Sequence, residues 1–424
     1  MCSYSLIIYV SFFITILYSF TILRFLRGWN KIRAYSSSVT EEKILVSVII
    51  PFRNERENIE HNFFSLLAQD YPPSCLEIIY VNDHSDDGSA ERLQELTNKH
   101  SHFRVIDLEV SRTGKKAALL EGVKVSGGEL VLFTDADSFP VRTWVNTMAA
   151  FFIQHHPVMI SGPVIMSGGK GFFSRFQALE FLSLVGSGAG SFGMGHPVMC
   201  NGANLGYDRV IYLKCSHKIN QQVPSGDDIF MMLSLKQDYK SRMRFIKSTD
   251  AIVYTNPVNS LKGFFTQRMR WVSKTWHYRD FHILITALTV FGINVLILGL
   301  AGVSCVQILI MLLQINRFYL PIGNWAWNPH VCSCLCCVRQ CMGVSLVEKE
   351  IFFIFPAVFF IKILIDFLLL RKVSVFFGRK KLLKLFFPSS VLYPVYSVFS
   401  ALAGMLVTPG WKGRKPDYEK SGIK

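Results

Sequence analysis

Four long stretches without Asp, Glu, Lys or Arg dominate this chain, at residues 4–23, 283–315, 351–361 continuing past Lys362, and 385–407. A chain that concentrates its apolar residues this way must place part of itself in lipid, because water would not tolerate such surfaces uncovered. The first stretch holds about 20 residues, which at roughly 1.5 Å of rise per residue spans about 30 Å of hydrocarbon. Arg24, Arg27, Lys31 and Arg33 come after it and no Lys or Arg precedes it. The absent basic n-region argues for an uncleaved anchor over a signal peptide. The basic flank predicts that the segment beyond the anchor stays in the cytoplasm, in a multi-pass protein of the cell membrane.

Between Arg24 and Asp280 the sequence reads as a soluble domain. This predicts an anchor and basic linker over residues 1–40, a cytoplasmic α/β domain over 41–280, and a membrane region with a Cys-rich loop and basic tail over 281–424. The 283–315 stretch is long enough for two tight crossings around Gly299 and Gly302, or for one crossing plus an interfacial helix. Three or four membrane segments are expected after residue 280.

The net charge of +15 raises the question of nucleic acid. Many basic residues, however, sit beside apolar runs: Arg371, Lys372, Arg379, Lys380, Lys381 and Lys384, then Lys412, Arg414 and Lys415. That placement suits anionic headgroups or a diphosphate, and no nucleic-acid-binding module signature is present. Five of the ten cysteines lie close together, at Cys332, Cys334, Cys336, Cys337 and Cys341. Their spacing does not match a paired CxxC metal site, so acylation of membrane-proximal thiols or no role is the reading.

Within the middle segment, ILVSVII at 44–50 is a short β-branched run bounded by Pro51, as a buried parallel strand requires. Ile59, Phe63, Leu66 and Leu67 then recur at helical spacing until Tyr71, Pro72 and Pro73 stop them. Further strands are predicted at 76–81, 103–108 and 130–134, with helices at 90–96 and 115–125. This alternation predicts a doubly wound, mostly parallel sheet, whose ligands lie outside the carboxyl ends of the strands. The acidic residues fall at that edge. Glu55 comes after the first strand, Asp83, Asp86 and Asp87 after the second, and Asp135 and Asp137 after the fourth.

Asp135 and Asp137 flank the small Ala136, so both carboxylates can lean toward one cation; hard oxygen ligands without Cys or His favour Mg²⁺ or Mn²⁺. In SGDDIF, one carboxylate of Asp227 and Asp228 can cap the next helix, a role that suits Asp227. The other is then left to act as a general base whose proton affinity its neighbour raises. QRMRW at 267–271 presents Arg270 as a phosphate fork and Trp271 as a face for a sugar or an interfacial anchor. The competing role for this segment is an interfacial belt running on through Lys274, Trp276 and Tyr278.

Taken in order, VSVIIPFRNE, VNDHSDDGS, GKKAALLEG, TDADS, NGAN, GDD and QRMRW resemble the motifs of membrane-associated, family 2 inverting glycosyltransferases with a GT-A (Rossmann-like) fold. The resemblance covers roughly residues 46–271, and the tail TPGWKGRKPDYEK resembles the end of many bacterial members. It implies that Glu55 and Asp83 hold the nucleoside, with Lys115 or Lys116 near the phosphates. It further implies that Asp135 approaches the donor, Asp137 binds the metal, Asp228 is the general base, and Gln267, Arg270 and Trp271 close over the diphosphate and acceptor end. Asn201 and Asn204 of NGAN would lie by the sugar and acceptor. Two departures stand: in the second loop the family's DDxS reads Asn82, Asp83, His84, Ser85, and Asp227 precedes the expected base where the family often has Glu.

The expected activity is transfer of a sugar from a nucleotide-sugar donor, with a UDP-sugar preferred, to a lipid or lipid-linked acceptor, in cell-envelope polysaccharide or glycolipid synthesis. Processive polysaccharide synthesis is the alternative within the class. A non-catalytic membrane scaffold would be expected to show gaps in the site, whereas DAD, GDD and QxxRW are all intact. Lys362 and Asp366, four apart on one helical face, are expected to pair as a packing salt bridge rather than to touch the acceptor.

Overall fold

The structure is a computed structural model and describes residues 2–36, 42–169, 171–218, 226–319 and 347–406. The Cys-rich segment at 332–341 and the tail residues Trp411, Lys412, Arg414 and Lys415 lie outside the described residues.

The alternation read from the sequence is present. Strand β1 (Val46–Phe52) is buried at every position, as expected of a strand covered on both faces. After it come α2 (Ile59–Leu67), β2 (Leu76–Asn82), α3 (Ser89–Thr97), β3 (Phe103–Asp107), α4 (Lys115–Val125) and β4 (Leu130–Phe133). With β6 (Met159–Ser161), β8 (Leu205–Asp208) and β9 (Met243–Phe245) these strands form a seven-stranded sheet of order β3-β2-β1-β4-β8-β6-β9. β8 runs antiparallel to both of its neighbours, and every other pairing is parallel. A three-stranded sheet, β5 (Ser138–Pro140), β10 (Val253–Thr255) and β7 (Val164–Met166), sits beside it. These three-residue strands carry no alternation long enough to be read from sequence.

The apolar helices outside this domain are α1 (Cys2–Lys31), α10 (Phe281–Tyr319), α11 (Val347–Phe376) and α12 (Phe386–Leu406). Four stretches are long and apolar enough to cross a bilayer: Leu6–Lys31, Phe281–Leu309, Phe353–Phe376 and Lys380–Leu406. α10 continues unbroken past Gly299 and Gly302, so the chain makes no tight turn there between two crossings. A helix interior tolerates isolated glycines in an apolar, membrane-length segment, and nothing lies against either one to force a turn.

Two features join the domain to these helices. α6 (Phe172–Gly193) lies so close along α1 that a Cβ on Gly190 would stand 2.3 Å from the Phe25 carbonyl oxygen, and one on Gly28 would stand 1.9 Å from that of Gly190. Only glycine permits this approach. Lys247, just after β9, donates to the carbonyls of Trp29 (3.0 Å) and Ile32 (3.2 Å), with its ammonium 4.2 Å from the Trp29 ring centre. It thereby closes the carboxyl end of α1, where carbonyls have no partner in the helix.

Candidate active site

The loop after β1, the turn after β4, the amino ends of α4 and α8 (Asp227–Tyr239) and the carboxyl half of α9 (Leu261–Val272) converge on one cavity of about 890 Å³. Glu55, Lys115, Asp135, Asp137, Asn201, Asp227, Asp228, Gln267, Arg270 and Trp271 all line it. Residues far apart in sequence therefore meet, because the parallel strands deliver their carboxyl ends to one edge.

Lys115, the first residue of α4, places its ammonium 2.5 Å from Asp135 Oδ1 and 3.7 Å from Asp227 Oδ2. Burial opposes its charge, but the carboxylates of Asp135, Asp227 and Asp228 hold it well above the ordinary lysine value. Lys116 takes a different course. It is buried with its ammonium 4.5 Å from the Phe230 ring centre, outside the cavity lining, and burial lowers its pKa to about 8, opposed by Asp227 and reinforced by Lys274.

The expected N-cap role of Asp227 is corrected by the structure. Gly226, in a left-handed conformation (φ +84°), is the cap, and Asp227 and Asp228 are the first two residues of α8. Only glycine adopts that conformation freely, so the turn falls one residue earlier. Asp228 Oδ1 accepts from Ile229 N at 2.8 Å and Oδ2 accepts from Gly202 N at 3.2 Å. Burial and then Asp227 raise its pKa, against the lowering influence of Lys274 and Lys115.

Asp83 and Asn204 lie off the cavity. The Asp83 carboxylate is fully buried and accepts from Gly114 N through both oxygens at 3.1 Å, fixing the left-handed turn (φ +96°) that launches α4 and so aims Lys115. Asn204 receives the indole N–H of Trp144 (2.9 Å) and donates to the carbonyls of Pro163 (2.9 Å) and Ala251 (2.8 Å), stitching the two sheets together. Asn82 donates to Asp107 (2.7 Å) and accepts from Ser85 N (2.9 Å), so the amide that departs from the family's pattern holds its own loop.

Sequence reasoning passed over two residues. Lys274, read as part of an interfacial belt, lines the cavity, where burial lowers its pKa and Asp228 and Asp227 oppose the shift. Its spacing of four from Arg270 was the available signal. Arg268, inside QRMRW, is buried and ion-paired with Glu180 of α6. It lies between the rings of Phe264 (4.5 Å) and Trp271 (4.3 Å) and donates to Gln267 (2.5 Å). It sets the pose of the two motif residues that flank it.

Residues 47–214 match the family model described as glycosyl transferase family 2. The chain carries a family 2 glycosyltransferase domain. It is 31% identical over 147 residues to the poly-beta-1,6-N-acetyl-D-glucosamine synthase of Staphylococcus epidermidis, covering 33% of this chain and 34% of that one. It is 32% identical over 110 residues to the poly(ribitol-phosphate) beta-N-acetylglucosaminyltransferase TarS of Staphylococcus aureus, covering 26% of this chain and 19% of that one. The chain thus spans about a third or less of the length of these curated relatives. Among solved structures, a mannosyltransferase from Pyrobaculum calidifontis in complex with GDP-Man and Mn²⁺ superimposes with a TM-score of 0.51. That match is at 16% identity, over 97% of this chain and 99% of that chain. This likeness shows the GT-A fold, with its mostly parallel sheet.

Proposed function

We propose that the protein is an inverting glycosyltransferase that moves a sugar from a nucleotide-sugar donor to a lipid or lipid-linked acceptor at the cytoplasmic face of the membrane. The observation that carries the reading is one cavity lined both by the paired carboxylates Asp135, Asp137, Asp227 and Asp228 and by residues of α1, α10, α11 and α12. Acidic chemistry and membrane helices share a single chamber.

In this reading Asp228 takes the proton from the acceptor hydroxyl as that oxygen bonds to the anomeric carbon. The bond from that carbon to the donor phosphate breaks, and its electron pair leaves with the nucleoside diphosphate. The two backbone N–H groups on Asp228 orient the carboxylate, and its burial beside Asp227 brings it nearer to a working base. Arg270, Lys274 and Lys115 supply positive charge for the diphosphate, and Gln267 and Trp271 close the acceptor end.

The donor set fits a hard divalent cation. Asp135 and Asp137 present carboxylate oxygens, and Asp135 already holds the Lys115 ammonium at 2.5 Å, a position that attracts positive charge. Among the described residues no group of three or more His, Cys, Asp or Glu forms a closed metal cage. The two aspartates would therefore share Mg²⁺ or Mn²⁺ with the donor diphosphate, and the ion would neutralise charge on the leaving group.

The cytoplasmic placement draws support from the basic residues. Arg24, Arg27 and Lys31 lie at the domain end of α1. After the single crossing of α10, α11 returns Arg379 to the domain, where its guanidinium stands 5.6 Å from the Tyr254 ring centre. Processive polysaccharide synthesis is the second reading, favoured by a relative named as a polysaccharide synthase. Product length separates the two.

The test is a nucleotide-sugar screen on detergent-solubilised protein with Mg²⁺ or Mn²⁺ and membrane lipids, monitoring nucleoside diphosphate release, with Asp137→Ala and Asp228→Asn alongside. Turnover of one donor, loss on chelation and silence of both variants is the expected result. If no nucleotide sugar is bound or turned over, the domain is a non-catalytic scaffold.

A further inference from the structure

The catalytic cavity does not end at the carboxylates. The same chamber is lined by apolar side chains of three membrane helices, among them Ile22 and Phe25 of α1, Ala287 and Val290 of α10, and Leu369 and Leu370 of α11. It is also lined by a polar group that the sugar-transfer chemistry leaves unused. Tyr18 donates to Asp366 Oδ1 at 2.5 Å, and Lys362 Nζ stands 2.6 Å from Asp366 Oδ2. The Lys362 ammonium is also 4.9 Å from the Tyr393 ring centre.

The expected Lys362–Asp366 pair is therefore present, but the pair and its partners face a chamber rather than a solid helix interface. A second observation comes from α12. Ser389 also lines the cavity, is 9% exposed, and its hydroxyl has no hydrogen-bond partner. Buried hydroxyls are normally paired, and an unpartnered one beside a cavity marks where a ligand's polar group belongs.

We infer that this part of the cavity is the acceptor subsite, and that it takes an uncharged lipid alcohol. The reactive hydroxyl lies at Asp228, and a second uncharged polar group of the same lipid, an ester, an amide or another hydroxyl, meets Asp366, Tyr18 and Ser389. The alkyl chains lie among α1, α10 and α11. The inference rests on the transferase reading and names the acceptor class for it.

The charge count selects the class. Lys362 is 2% exposed and its charge is matched by Asp366, so the cluster is neutral as a unit. A phosphate here would bring one or two negative charges into a low-dielectric chamber beside Asp366, and would have to break the ion pair to find a cation. A neutral group needs no such rearrangement. It can donate to the partly exposed Asp366 carboxylate and exchange a hydrogen bond with Ser389. A cavity of about 890 Å³ is large enough for a nucleotide sugar's reacting end together with a lipid headgroup, but not for a folded protein partner.

The experiment measures equilibrium binding of radiolabelled dioctanoylglycerol, a six-carbon-chain ceramide and a polyprenyl phosphate to the full chain in detergent. UDP and GDP binding is measured separately by calorimetry. Tyr18→Phe and Ser389→Val are compared with the parent, and both are checked for an unchanged elution volume and melting temperature. The expected result is saturable binding of at least one of the two neutral lipids, weakened fivefold or more by each variant, with nucleotide affinity within twofold. Whichever neutral lipid binds more tightly identifies ester or amide as the group read. Three results would each overturn the inference: preferential binding of the polyprenyl phosphate, neutral-lipid binding unchanged in both variants, or no saturable lipid binding. Loss of nucleotide binding in the parent would instead sink the transferase reading, and the lipid measurement would still stand by itself.

Discussion

The Lys115 ammonium lies 2.5 Å from one carboxylate oxygen of Asp135 and 3.7 Å from one of Asp227, tying the turn after β4 to the amino end of α8. One cation thus holds together two acidic pairs that would otherwise repel. Lys115→Met removes it and leaves these carboxylates partly buried without that partner. The variant should melt several degrees lower, in line with a loss of about 1–3 kcal/mol for uncompensated buried charge. Adding Mn²⁺ or Mg²⁺ should raise the melting temperature of Lys115→Met by more than that of the parent, because the ion supplies the missing charge. Equal shifts in the two proteins would show that Asp135 and Asp137 do not gather a cation.

In the proposed reaction the pH dependence is set by Asp228. Its pKa is raised by burial and by Asp227, and it must be ionised to accept a proton, so activity should fall as pH drops through a value above the usual carboxylate range. Lys274 and Lys115 hold that value down. Lys274→Met should therefore move the acid limb of kcat/KM to higher pH, whatever it does to the plateau. The stability effect has the opposite sense. Because the folded pKa lies above the unfolded one, ionised Asp228 costs stability once pH exceeds the unfolded value. Asp228→Asn should melt higher than the parent at pH 7, and the difference should shrink at pH values where Asp228 is protonated in both states. A difference that does not vary with pH would remove burial as the cause of the shift.

Much of this site was legible because each of its pieces is local. A strand leading into Glu55, or into Asp135 and Asp137, needs only a few residues of pattern, and the doubly wound topology then forces the pieces together. Asp83 and Asn204 show the limit. A sequence shows which polar side chains stand near a strand end, but not whether a backbone N–H such as that of Gly114, or an indole such as that of Trp144, has already taken them. Gly226 took the cap position expected for Asp227, because one left-handed glycine shifts a helix start by a residue. The course of α10 was equally hidden, since an unbroken apolar run has the same composition whether it turns at Gly299 or passes straight through.

Lys247 is predicted to couple the catalytic domain to its anchor. Its ammonium serves the last carbonyls of α1 and lies against Trp29 and Phe376, at 4.2 Å and 5.3 Å from their ring centres. Lys247→Met keeps much of the side-chain volume but removes the donors and the cation. The expected loss is about 1–3 kcal/mol, from unsatisfied carbonyls and the lost ring contact. Limited proteolysis in detergent should then cut near residues 32–36 faster than in the parent. Unchanged cleavage together with an unchanged melting temperature would show that the α1 end is held by the Gly28–Gly190 approach alone.

Arg268 provides the sharpest separation between positioning and chemistry. It touches neither of the acidic pairs, yet it pairs with Glu180 and packs against Trp271 while donating to Gln267. Arg268→Met should cost about 3–5 kcal/mol, since Glu180 is left buried and unpaired. Pairing it with Glu180→Gln removes that charge and should recover much of the stability. Activity should not recover in parallel, because Gln267 and Trp271 still lack the guanidinium that orients them. The double variant should therefore show a raised KM for the donor, with the acid limb of its pH profile where the parent has it, as Asp228 is untouched. If the double variant regained the parent's KM, Arg268 would be a stability element only, and the pose of Gln267 and Trp271 would have to be set by the helix itself.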